Sequence, residues 1–198
     1  YYDGQGNPQP WLAESWEVSE DQTQITFKLR QGVKFSDGTD FNAAAVKYNI
    51  DLILDPAVAS PKLSYLGSLQ SVDVVDDYTV QFTFEEPYAP FFINMSGVTG
   101  CIASPTAMQQ WGEEYGRHPV GTGPYKLDEW IPGSQITFSR NDNYQQFRTD
   151  VVNTGAPLAE KIVLLVIPEE GTVQAALETG EILVGYLAAD IVARFVGD

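Results

Sequence analysis

The sequence predicts an α/β chain of mixed, α+β character, and three observations carry that prediction. Three pairs of segments alternate apolar and polar residues across short turns, which is the pattern of half-buried β-hairpins. One twelve-residue stretch after Asn42 repeats its apolar residues at helical spacing. Near the C-terminal end, an apolar run, a helical pattern and a second apolar run follow one another at the spacing of a βαβ unit.

The first hairpin is Ser15 to Ser19 and Ile25 to Arg30, with Glu20-Asp21-Gln22 as its turn. Val33-Lys34-Phe35 reads as another short strand, followed by a tight turn at Ser36-Asp37-Gly38-Thr39. Asn42 is placed to cap a helix over residues 43–54, in which Val46, Ile50, Ile53 and Leu54 share a face. Asp55-Pro56 ends that helix, because the residue before a proline is driven out of the α region. The second hairpin joins Ser71 to Val75 with Tyr78 to Phe84 through Asp76-Asp77, and Glu86-Pro87-Tyr88-Ala89-Pro90 stops it.

Beyond Ser104-Pro105 the character of the chain changes. Thr106 to Tyr115 reads as helix, and Gly116 to Pro119 as loop. Tyr125 to Trp130 and Gln135 to Arg140 form the third hairpin around Pro132-Gly133-Ser134, and residues 141–156 are a polar loop. The continuous apolar run Ile162 to Ile167 predicts a strand covered on both faces. Glu169 to Thr179 is helical with Gly180 as its C-terminal cap, and Ile182 to Tyr186 reads as a second buried strand.

Composition narrows the function. The chain has 198 residues, enough for one large domain or two small ones with a substantial core. Its 27 acids against 11 bases leave a net charge of −16, which argues against nucleic acid and against electrostatic attachment to an anionic membrane. From Leu63 to Gly116 there are seven acids and no Lys or Arg, and a solvated acidic face is the favoured reading. No run of 18 apolar residues occurs. The opening Tyr1-Tyr2-Asp3-Gly4, without Met, reads as a processed or excised start.

The chemistry of catalysis and of metal binding is hard to assemble. Cys101 is the single cysteine, so no internal disulfide or thiolate cluster forms, and its apolar neighbours suggest a buried structural thiol. His118 is the single histidine, too few for a multi-histidine zinc site or an ordinary Ser-His-Asp set. The pairs Glu85-Glu86, Glu113-Glu114 and Glu169-Glu170 are neighbours in sequence, so neither helix nor strand turns both carboxylates onto one site. Gly121-Thr122-Gly123-Pro124 leads into a strand rather than a helix N-terminus, so it is no phosphate loop. No catalytic residue, cofactor or metal is expected.

Several phrases together resemble one family. They are Pro10-Trp11-Leu12-Ala13-Glu14-Ser15-Trp16-Glu17-Val18-Ser19 and the run Phe27-Lys28-Leu29-Arg30-Gln31-Gly32-Val33-Lys34-Phe35-Ser36-Asp37-Gly38-Thr39. Ser60-Pro61, Val120-Gly121-Thr122-Gly123-Pro124-Tyr125-Lys126, Arg140-Asn141-Asp142-Asn143-Tyr144 and Ala175 to Ile182 complete the set. On these motifs the chain resembles the family 5 extracellular solute-binding proteins of ABC importers, which include oligopeptide-, dipeptide- and nickel-binding proteins. The resemblance implies part of a lobe of the type II periplasmic-binding-protein kind. Residues 1–105 would be a β-rich extra subdomain, and residues 106–198 the incomplete central part of the lobe's main α/β domain. It implies a fragment that lacks a preceding strand segment and a second lobe.

The same resemblance implies a small solute, a peptide first of all, and partnership with the permease subunits of an ABC transporter. It places the protein in the periplasm or at the cell surface, free or lipid-anchored through a segment outside this chain. Lys62, Tyr186 and Leu187 are the candidate ligand-binding residues: Lys62 follows Ser60-Pro61, and Tyr186 and Leu187 stand at the end of the last buried strand. Gln145 departs from the family pattern, where a Trp follows the Tyr. A lobe short of its first strands leaves a sheet edge open, which implies an edge-mediated dimer of the fragment. Two rivals remain open from sequence: a ligand-sensing module of a signalling or regulatory protein, and a carbohydrate-binding member suggested by the 24 aromatic residues.

Overall fold

A computed structural model of the chain describes residues 1–187. Strands β1 (Ala13–Val18) and β2 (Gln24–Leu29) pair antiparallel, and β3 (Leu69–Asp76) and β4 (Thr79–Phe84) do the same. Strand β4 also pairs with β2, which gives one sheet of order β1-β2-β4-β3. The register sets Val18 against Ile25, Ile25 against Phe82 and Phe82 against Val72, so one face of the sheet is a continuous apolar layer.

Helix α1 (Ala43–Leu54) covers that face with Val46, Ile50 and Ile53. It begins where the sequence places it, because the Asn42 side chain accepts a hydrogen bond from the Ala45 amide. Helix α2 (Phe91–Ser96) drives Phe91 into the same layer, where its ring meets Phe82 at 5.2 Å and Phe84 at 4.9 Å. Gly100 passes so close to the Met95 carbonyl that no side chain fits there.

Helix α3 (Pro105–Trp111) starts at Ser104 and ends at Gly112, whose positive φ of 50° turns the chain into a 3-10 segment, Gly112–Arg117. The predicted helix to Tyr115 is therefore split by its glycine. Strands β5 (Tyr125–Ile131), β6 (Gln135–Arg140) and β7 (Lys161–Leu165) form a second, antiparallel sheet in that order. Helix α4 (Glu170–Thr179) ends at Gly180 in the left-handed region, φ 73°, as expected of a glycine cap.

Four expectations are corrected. Val33-Lys34-Phe35 is no strand but one arm of a tight loop held by a single bridge between Lys34 and Asp40. Among the described residues the run Ile162 to Ile167 is not covered on both faces: β7 pairs with β6 on one side and with no described strand on the other, and Leu164 is 51% exposed. Residues 182–186 form no strand; Leu183 is 91% exposed, and the Ile182 amide turns back to the Ala176 carbonyl of α4. Among the described residues no βαβ unit forms, because an apolar run becomes a buried strand only where a partner strand and a covering layer reach it. Cys101 is exposed rather than buried. The seven acids between Leu63 and Gly116 are all exposed, in agreement with a solvated face. Among the described residues, no helix is long and apolar enough to cross a membrane.

Phe91→Ala removes a fully buried ring from the centre of this core and is expected to cost about 3–5 kcal/mol. Asn42→Ala, which removes one cap, should cost only about 1 kcal/mol. Urea denaturation of both variants checks the order, and equal losses would contradict it.

Candidate functional site

An apolar groove of about 410 Å³ opens where the first sheet meets the segments that lead to the second. Its floor is Trp16, Phe27, Val80 and Phe82. Trp16 lies directly across from Phe27 in the β1–β2 register, and the Trp16 ring also reaches Phe92 at 5.6 Å. Phe92, Met95 and Cys101 form one wall, and Tyr1, Tyr2 and Trp11 form another. Residues 121–124, 143–145 and Phe147 close the remaining side.

Each wall is held by polar contacts. Ser104, fully buried, donates from Oγ to Asp37 Oδ2 at 2.5 Å, while the same Oγ accepts from the Ala107 amide and so caps α3. Thr39 donates to the other Asp37 oxygen from its hydroxyl and its amide. Next to this knot, Asn49 of α1 donates to the Ala103 carbonyl at 2.8 Å and accepts from the Ala103 amide at 2.9 Å. The Ser104 amide donates to Val120 O and the Ser36 amide to Gly121 O, so the glycine loop is bound to the same centre. Buried Asn141 then donates from its amide to Pro124 O and from Nδ2 to Gly123 O.

The N-terminal wall is held by cations on aromatic rings. The Arg148 guanidinium lies 4.4 Å from the Tyr1 ring and is paired with Asp150 at 2.7 Å; Arg30 lies 4.5 Å from the Phe147 ring. Tyr1 itself is paired with Gln9 through two backbone bonds, Tyr1 N to Gln9 O and Gln9 N to Tyr1 O.

Electrostatics favour the charged carboxylate in the Ser104 knot. Partial burial pushes the Asp37 carboxyl up, but the hydrogen bonds from Ser104 and Thr39 outweigh it and hold the group below the usual carboxylate value. Tyr115, whose hydroxyl donates to Val120 O and accepts from the Val120 amide, is pushed up mainly by burial. His118 stacks flat on Trp111 at 3.6 Å. Among the described residues, no group of three or more His, Cys, Asp or Glu side chains could hold a metal ion.

The three candidate ligand residues stand apart from this groove, and none of them lines it. Lys62 is half-buried at the start of a short 3-10 turn, Leu63–Tyr65, with its amide donating to Ser60 Oγ at 3.3 Å. Tyr186 is 97% exposed and Leu187 half-buried, in the irregular segment after α4. The floor residues read in sequence only as hairpin alternation; the cross-strand pairing of Trp16 with Phe27 is what gathers them.

Residues 7–198 match the family model described as bacterial extracellular solute-binding proteins, family 5 Middle. The chain belongs to that family. It is 38% identical over 170 residues to the glutathione-binding protein GsiB of Shigella flexneri, an alignment covering 86% of this chain and 32% of that protein. NikZ from Campylobacter jejuni, solved in complex with Ni(L-His), superposes with a TM-score of 0.84 over 100% of this chain and 38% of its own, at 24% identity, and speaks for the fold alone. The periplasmic binding protein DppA from Helicobacter pylori, in complex with the peptide STSA, matches at 30% identity with a TM-score of 0.71, covering 88% of this chain and 37% of DppA. The fold is thus that of a partial type II periplasmic-binding-protein lobe, and the chain spans about a third of the length of the curated relatives it matches. Family 5 members are bacterial extracellular solute-binding proteins.

Ser104→Ala should destabilise the protein by about 1–3 kcal/mol, since it leaves both Asp37 and the Ala107 amide short of a partner. Because the Asp37 pKa is depressed in the folded protein, its contribution is present above the unfolded value of about 3.9 and is lost as pH falls through the folded value. The stability gap between wild type and Asp37→Asn is therefore expected to be larger at neutral pH than near pH 3, as measured by urea midpoints. A gap that widens on acidification would contradict the assignment.

Proposed function

We propose that this chain is part of the first lobe of the solute-binding component of an ABC importer, which captures peptides or a closely related small solute and presents it to the permease subunits. One observation carries the reading: the family match runs from residue 7 to residue 198, nearly end to end. It is supported by relatives whose names state a glutathione-binding and a peptide-bound protein. Binding of this kind draws its closure energy from contacts that exist only in the ligand-bound conformation.

Within this reading, residues 1–105 form the β-rich extra subdomain and residues 106–198 the incomplete main α/β domain. The placement of one sheet before Ser104-Pro105 and the other after it supports that division. Lys62, Tyr186 and Leu187 are the residues proposed to face the solute; the exposure of Tyr186 leaves its ring free for such a contact. The protein works in the periplasm or on the cell surface, either free or lipid-anchored. The open edge of β7, with Val163, Leu164 and Leu165 exposed, supports edge-mediated dimerisation of the isolated fragment.

Calorimetric titration of the full-length protein with glutathione and with a di- and oligopeptide library is expected to yield saturable binding without turnover. Hydrolysis of any of these compounds, or no binding by any, would overturn the reading. In the same assay Lys62→Ala and Tyr186→Ala should each weaken affinity about tenfold, or ~1.4 kcal/mol, with little change in thermal midpoint. Unchanged affinity in a variant would remove that residue from the site.

A further inference from the structure

The turn that carries Lys62 is held more firmly than its length explains. A single 3-10 turn, Leu63–Tyr65, with every residue exposed, has too few bonds of its own to keep one conformation. It opens beside strain: Ala59 stands in the left-handed region at φ 49°, which a residue with a Cβ keeps only where its surroundings impose it. It closes on Leu66, fully buried in the core of the first sheet, whose amide donates to Leu63 O. Ser68 then donates from its hydroxyl to Glu86 O at 2.7 Å, and its carbonyl accepts from the Glu85 amide, which fastens the chain to the end of β4.

The turn itself is met by helix α2. The last carbonyls of a helical turn lack partners within it, and Asn94 of α2 supplies one, its Nδ2 donating to Tyr65 O at 2.9 Å. The same Nδ2 donates to the Tyr88 hydroxyl oxygen at 3.2 Å. Both N–H bonds of the amide are thus used, and its orientation is fixed. Gly67 makes the second bond possible. Its φ is 61°, and a Cβ there would stand 2.5 Å from the Tyr88 ring, so only glycine lets that ring lie against the chain behind the turn. Asn94 shares its short helix with Phe91, which is fully buried, so the clamp stands on the core and not on another loop. None of Gly67, Tyr88 and Asn94 lines the apolar groove.

We propose that Asn94 is a positioning residue for the solute site, acting through the Leu63–Tyr65 turn to hold Lys62 where it meets the solute. The inference rests on the reading of Lys62 given above. The Tyr65 amide donates to Lys62 O and the Leu63 amide to Ser60 O, so a displacement of the Tyr65 carbonyl is passed back along the turn to Lys62. Without the Asn94 amide the turn opens while the core beneath it stays closed. A contact held in place before binding costs less ordering when the solute arrives, so loss of the clamp shows as weaker affinity.

The test uses the full-length protein, titrated with glutathione and separately with trialanine, as wild type, Asn94→Ala, Lys62→Ala and the double variant. Asn94→Ala is expected to weaken affinity for a bound probe about fivefold, and to add no further loss where Lys62 is already Ala. In the solute-free protein the amides of Tyr65 and Leu66 should exchange at least about fivefold faster in Asn94→Ala, with Val80 and Phe82 of β4 unchanged. Tyr88→Phe keeps the ring against Gly67 and removes only the hydroxyl that orients the Asn94 amide; it should shift affinity in the same direction, about twofold, at an unchanged thermal midpoint. Equal losses from Asn94→Ala in both backgrounds, affinity unchanged by Asn94→Ala, or unchanged exchange at Tyr65 and Leu66 would overturn the proposal while Lys62 keeps its place in the site. Affinity unchanged by Lys62→Ala, or no binding of either probe, would instead overturn the reading of Lys62 and the proposal with it.

Discussion

The hydrogen bond from buried Ser104 to Asp37 is the interaction on which the arrangement of this chain rests. One hydroxyl ties the Asp37-Gly38-Thr39 turn, which leads into α1, to the first turn of α3, which leads toward the second sheet. Asn49 fixes the preceding residue, Ala103, by a reciprocal pair of bonds, and the Ser104 amide binds Val120. Four segments distant in sequence therefore meet around Ala103 and Ser104. A hydroxyl buried at this position is tolerated because both of its bonds are made; the same burial without Asp37 would leave an unsatisfied polar group of high cost.

Around that knot the packing divides into a finished part and an unfinished one. Beneath α1 the sheet is closed, with Phe35, Phe41, Ile50, Phe82 and Phe91 withdrawn from solvent. Toward β1 the same apolar layer continues through Phe27 and Trp16 but loses its cover. The cation–aromatic contacts of Arg30 and Arg148 secure the rim at that point, and they hold in place the N-terminal strand-like pair of Tyr1 and Gln9. In the second sheet, among the described residues, β7 exposes an apolar run and has no partner strand on its outer side.

Local signals were legible wherever the structure is decided locally. Alternation with short turns located three hairpins, because a period of two and a turn are properties of a few adjacent residues. Asn42 and Gly180 marked helix ends for the same reason: capping and a left-handed φ need no distant partner. What could not be read was whatever depends on a remote neighbour. Ile162 to Ile167 and Ile182 to Tyr186 have the composition of buried strands, and only the presence of cover decides whether they are buried. Cys101 has apolar neighbours in sequence and solvent beside it in space. Ser104 read as a break in composition, although its hydroxyl joins segments 67 residues apart. The family was legible through phrases such as Phe27 to Thr39; the candidate ligand residues came with that resemblance and not from any geometry.

The loops of the first sheet and the segment leading to the second are coupled through polar, buried contacts around Ser104. Native-state hydrogen exchange of the full-length protein tests that claim most directly. The amides of Ser36, Ala103 and Ser104 accept no help from a helix or strand ladder, yet they should exchange only through global unfolding, with the same opening free energy as the amides of Val80 and Phe82 in β4. Exchange of those three amides through a lower-energy local opening, while β4 stays protected, would contradict the account.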